Sequence, residues 1–151
     1  MQYNQSEFLI ETIVPKDELI VSRTDLKGTI TFANNTFAEI SGYKIDELIG
    51  KSHNIVRHPD MPKAIFMNLW KTLEETGKWS GFVKNLRKDN GYYWVYAEIS
   101  GVFKNGKLVE YKSIRTPISF KDKLFYQKKY DEIKKQKGEL IRVISYEPYQ
   151  N

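Results

Sequence analysis

The ten residues HNIVRHPDMP, His53 to Pro62, hold both histidines of the chain together with an arginine, an aspartate and two prolines. These types can do several kinds of chemistry. Arg57 presents a rigid fork of donors suited to phosphate or carboxylate oxygens, and His53 and His58 can donate, accept or ligate a haem iron. Asp60 can anchor either neighbour or cap a helix. Further along, Trp70 and Trp79 offer flat apolar surfaces, and Asn85 offers an amide that both donates and accepts. What the chain lacks narrows the choice. It contains no cysteine, which excludes disulfides, thiolate metal sites, a cysteinyl nucleophile and any thioether-linked or thiol-adduct cofactor. It also lacks a Ser/His/Asp spacing, a phosphate-binding glycine loop and an HExxH pair, so a binding module is expected rather than an enzyme.

Each residue has a plainer reading as well. Tryptophans on an apolar helix face or at a strand start are usually packing, and a strand asparagine can serve a core hydrogen bond. Asp60 lies where a helix cap belongs, and histidines five apart in a loop can be solvated.

The elements that must position this set follow from periodicity and turn residues. ELIVSRTDLKGTITFANN reads as a hairpin with strands near 19–23 and 29–33. Asn34, Asn35 and Thr36 supply caps for a short helix stopped by Gly42, and KIDELIG repeats the pattern up to Gly50. KSHNIVRHPD has no period and is a loop. A longer helix begins near Pro62, with Asp60 as its cap, and runs to Gly77. It has one apolar row of Ile65, Leu69 and Leu73 and a second of Phe66 and Trp70. Strands near 79–88, 92–103 and 108–118 follow, joined by the hairpin turns DNG and KNGK. The expectation is an α+β domain, a five-stranded antiparallel sheet with short helices on one face and a C-terminal helical extension. Alternation places Trp79, Gly81, Val83, Asn85 and Arg87 on one side of the third strand. The hollow between the sheet and the short helices, with HNIVRHPDMP as its lid, is the expected binding site.

The chain of 151 residues, 40% hydrophobic, suits one domain with a terminal extension. Residues 1–18 read as an N-terminal cap segment, 19–118 as the domain and 119–151 as an output segment with a tail. The net charge of +5 is concentrated between Phe120 and Lys137, where seven lysines face three acids. No nucleic-acid motif or aromatic-lined basic strip accompanies it, so nucleic acid is not an expected partner. There is no secretory signal and no run of twenty apolar residues, which points to a cytoplasmic chain without a membrane span.

TDLKGTITFANNTFAEISGY, HNIVRHPDMPKAIFMNLW and WSGFVKNLRKDNGYYWV resemble the PAS sensor domains of aerotaxis receptors. The similarity extends from about Glu11 to Thr116, and its specific part is VRHPDMP followed by W, WSG and KN. The resemblance implies a PAS fold that holds FAD non-covalently and reads redox state. It further implies cofactor contacts from His53, Arg57, His58, Asp60, Trp70, Trp79 and Asn85, with Asp60 holding Arg57 or His58. The competing occupants are haem, through His53 or His58, and a small metabolite. One departure stands out, since the family's fourth strand carries Asn where this chain has Glu98. If Glu98 shares the inner face, its carboxylate would disfavour anionic reduced flavin.

Tyr126, Tyr130, Ile133, Lys137 and Leu140 recur at spacings of four and three, an amphipathic helix that Gly138 ends or weakens. It is either a helix folded back on its own sheet or an output element. The resemblance implies the stand-alone PAS subunit of a split energy-taxis receptor. Its partner would be a membrane-bound transducer with HAMP and signalling domains, and a homodimer is compatible with that role. On this reading, a chain cut after Pro117 keeps its cofactor and loses its output.

Overall fold

The structure, a computed structural model, describes residues 10–141. The first nine residues of the expected cap segment and the tail from residue 142 onward lie outside it. The hairpin forms as β1, Ile20–Thr24, and β2, Ile30–Ala33. Two short helices follow, α1 at Asn35–Ser41 and α2 at Ile45–Leu48, then a 3-10 turn at His53–Val56 and helix α3 at Lys63–Thr76. Strands β3, Lys78–Leu86, β4, Tyr92–Lys104, and β5, Lys107–Thr116, lead into helix α4, Phe120–Gln136. All pairings are antiparallel, in the order β2-β1-β5-β4-β3.

Local chemistry explains the first helix well. Asn34 accepts from the Phe37 N–H and from the Val21 N–H, so one side chain caps α1 and ties it to β1. Gly42 then closes α1 at φ 81°, a left-handed turn that glycine enters without a Cβ clash. The core between these helices and the sheet is built on Ile20, Ile30, Phe37, Leu48, Val56, Leu73 and Val95.

Helix α3 starts differently from expectation. Pro62 occupies its N-cap without a side-chain bond, and the Lys63 N–H donates to Glu139 Oε1 at 3.1 Å. Asp60 is therefore no helix cap. Its carboxylate is fully buried and takes Lys84 Nζ at 2.9 Å and Lys134 Nζ at 3.3 Å, and it accepts from Gln127 Nε2 at 3.1 Å.

Those partners reveal where α4 lies. Phe82 and Lys84 of β3, with Trp94 and Tyr96 opposite them on β4, form the sheet face away from α1–α3. On that face Tyr126 stacks on Phe82 at 4.0 Å, Tyr130 stacks on Trp94 at 6.2 Å, and the Tyr130 hydroxyl donates to the Phe82 carbonyl. Helix α4 thus folds back on its own sheet, so helices cover both faces. Gly138, at φ 69°, turns the chain so that Glu139 reaches α3. Glu98 pairs with Ser80 on this same outer face and is exposed. It lies outside the hollow, and the expected retuning by its carboxylate has no structural basis.

Among the described residues, no helix is long and apolar enough to cross a membrane.

Candidate functional site

Between the inner sheet face and α3 lies a hollow with an empty volume of about 770 Å³, its open mouth included. Leu69, Leu73 and Phe66 of α3 form one wall, and Val83, Ala97 and Ile99 of the sheet form the other. Five of the expected site residues line it: His53, Arg57, Trp70, Trp79 and Asn85.

Trp79 is held in place from two sides. Its indole N–H donates to Asn68 Oδ1 at 3.0 Å, and its ring lies across Gly81, where a Cβ would fall 2.5 Å from the ring. Only glycine leaves room for that orientation. Trp70 differs from a core residue in being 40% exposed, packed edge-on against Tyr111 at 6.2 Å. An indole left so open at a cavity wall suits a flat ligand better than it suits packing.

Arg57 is half-buried, with its guanidinium 4.0 Å over the Phe66 ring. Its backbone forms a bridge with Asn85, so the loop is joined to β3 at the residue expected to meet the ligand. Asn85 is buried and faces Tyr93 across the β3–β4 ladder. Burial pushes the Tyr93 phenol up to about 12, against the opposing influence of Arg115.

His58 and Asp60 do not line the hollow. His58 is fully buried, with Nδ1 accepting the Asp60 N–H at 3.0 Å and its ring edge-on to Tyr92 at 6.4 Å. Asp60 therefore does hold His58, but through its backbone, while its carboxylate serves Lys84 and Lys134. Both residues shape the loop from behind.

Sequence reasoning passed over Arg115. It projects inward from β5 beside Ser113, is only 2% exposed, and lines the hollow with Ser22 and His53. Its Nη2 donates to Ser22 Oγ at 2.7 Å and its Nη1 to His53 Nε2 at 3.1 Å, while its plane lies 4.4 Å over Phe37. A guanidinium only donates, so His53 Nε2 must accept. Burial, then the Arg115 charge, lowers the His53 pKa to about 3, so the imidazole is neutral at pH 7. Burial also lowers Arg115 to about 10, which leaves it charged. The one available signal was alternation, since Tyr111, Ser113 and Arg115 share a face.

A pH dependence follows. Below about pH 6.5 the unfolded chain protonates His53 while the folded chain does not until about pH 3, so this residue lowers stability as pH falls through that window. Melting temperatures of wild type and His53→Asn between pH 7 and 4 are expected to converge as the pH is lowered. Parallel curves would show that the imidazole protonates in place at no cost.

The sequence profile of the PAS fold matches residues 30–115. The chain belongs to the PAS family. Its five-stranded sheet with flanking helices agrees with solved PAS structures. One of these is the PAS domain of a Colwellia psychrerythraea protein, 26% identical, with a TM-score of 0.61 over 66% of this chain and 86% of that one. A light-oxygen-voltage domain studied with a flavin analogue aligns with a TM-score of 0.63 at 22% identity, over 76% of this chain and 87% of that one. The PAS segment is also 50% identical over 105 residues to the aerotaxis receptor of Escherichia coli K12, which is 70% of this chain and 21% of the receptor. The PAS chain thus spans about a fifth of that relative's length.

Proposed function

We propose that this PAS domain holds FAD non-covalently and senses redox state for a membrane-bound chemotaxis transducer carrying HAMP and signalling domains. The observation that carries the reading is the pairing of two indoles with two guanidiniums around one apolar hollow. Trp70 and Trp79 offer surfaces for a flat ring, Asn85 can donate to and accept from a polar edge, and Arg57 and Arg115 supply cationic donors. Among the described residues, no carboxylate lines the hollow. A buried Arg115 Nε without a hydrogen-bond partner among the described residues is what a site built for an acceptor-rich ligand leaves behind. The residues therefore fit FAD, and the 50% identity to an aerotaxis receptor supports that occupant. Haem fits less well, because His53 Nε2 already accepts from a cation and His58 lies behind the wall.

FAD, when bound, supplies a ring that gains and loses electrons. The chain's own part is to bind it, screen it from water and respond. Asn85 faces the hollow, while its strand neighbours Lys84 and Phe82 face α4. A turn of the Asn85 amide would be transmitted along β3 to a helix docked on the far side, which requires only two states with different contacts.

The visible spectrum of the purified chain tests this, since flavin bands and a Soret band are distinct. Arg57→Ala is expected to lose charge-assisted hydrogen bonds to the phosphates, on the order of 2–4 kcal/mol, at least about thirtyfold in FAD affinity. If that variant purifies with full yellow occupancy, Arg57 does not hold the phosphates.

A further inference from the structure

Arg115 is a buried cation for which no carboxylate forms an ion pair among the described residues. Its hydrogen-bonding neighbours, Ser22 and His53, are both uncharged, and among the described residues its Nε has no hydrogen-bond partner. Such an arrangement is unfavourable in an empty fold, because a desolvated charge needs compensation. The Phe37 ring under the guanidinium offsets part of that cost, and the hollow is where the rest can come from, since Arg115 is on its wall.

We propose that Arg115, braced by Ser22 and His53, is the receptor for an electron-rich edge of the ligand that is neutral or carries a single negative charge. This deepens the flavin reading and rests on it: the edge is the pyrimidine carbonyl edge of the ring, not the pyrophosphate. Charge matching decides between the two. A pyrophosphate brings two negative charges, which one deeply buried guanidinium cannot balance, whereas half-buried Arg57 leaves its end of the hollow open to water. A carbonyl edge is neutral when oxidised. Uptake of two electrons and one proton leaves one negative charge on the ring, which a single buried cation balances. Arg115 therefore favours the reduced ligand over the oxidised one.

Three measurements on the 151-residue chain test this. The first compares lumiflavin, which has the ring but no phosphate, with FAD. Arg115→Met is expected to weaken both by a similar factor, about tenfold or more, while Arg57→Met weakens FAD alone. Loss of FAD binding with lumiflavin binding unchanged would place Arg115 on the phosphates and overturn the proposal. The second is the midpoint potential in a dithionite titration. A tenfold loss of preference for the reduced form lowers a two-electron potential by about 30 mV, and an unchanged or raised potential counts against the assignment. Arg115→Lys, which keeps the charge but loses the fork, should fall between.

The third is the melting temperature of ligand-free protein. Removing an uncompensated buried charge should leave Arg115→Met as stable as wild type or more so. A variant that melts earlier and binds flavin normally would make Arg115 merely structural. If wild type takes up neither flavin, the flavin reading fails separately. The receptor is then probed with benzoate, a planar aromatic monoanion. Thermal stabilisation of wild type but not of Arg115→Met upholds the receptor, and equal or no stabilisation ends it.

Discussion

Asp60→Ala is expected to destabilise the fold by about 3–5 kcal/mol, because it strands two ammonium groups in the interior. Lys84 and Lys134 have side chains 4% and 3% exposed, and both point at a carboxylate that is fully buried. Their attraction to Asp60 offsets a desolvation penalty that remains when Asp60 is removed. Lys84 also lies 4.6 Å over the Tyr92 ring, a contact too weak to replace an anion. Urea unfolding at pH 7, followed by tryptophan fluorescence, measures the loss. The triple variant Asp60→Ala, Lys84→Met, Lys134→Met should recover most of it, since apolar groups of similar volume replace a buried ion set at little cost. A loss below about 1 kcal/mol for the single variant would mean that the lysines reach water.

The second large effect concerns α4. Ending the chain at Pro117 is expected to lower the melting temperature by more than about 10 °C and to reduce flavin occupancy. Truncation bares Phe82 and Trp94, which Tyr126 and Tyr130 cover. It also takes Lys134 and Gln127 from Asp60 and Glu139 from the start of α3. A loss on the order of 3–6 kcal/mol shifts a domain of this size by that much. This reverses the expectation from sequence that the segment could be cut away without touching the cofactor site. Equal melting temperature and equal flavin content in the short chain would restore that expectation and reduce α4 to a passenger.

The sheet was legible in the sequence because its strands are joined by local chemistry. DNG and KNGK place Asn90, Asn105 and Gly106 at positive φ, and each strand lies within about two residues of its expected bounds. The β1–β5 pairing was not legible, since nothing local links Ile20 to Arg115. Position in the loop did not show that His58 and Asp60 lie outside the hollow that Arg57 lines, because nearness in sequence does not say which side of the wall a side chain takes. The docking of α4 did leave a trace. YYWVYA in β4 is apolar on both alternating sets, the pattern of a strand covered on both faces. Arg115 was missed for the opposite reason, because alternation assigns a face but not a charge inside it.

Strand β3 is the last in the sheet, and a terminal strand presents unpaired backbone groups to any other strand it meets. Here the loop over the hollow occupies part of that margin. The Lys84 N–H donates to Met61 Sδ at 3.4 Å, and the Arg57 backbone bridges Asn85. The same loop that lines the hollow therefore also shields the sheet from self-pairing. Any variant or state that lifts the loop opens both at once, so loss of ligand and concentration-dependent aggregation through β3 should appear together.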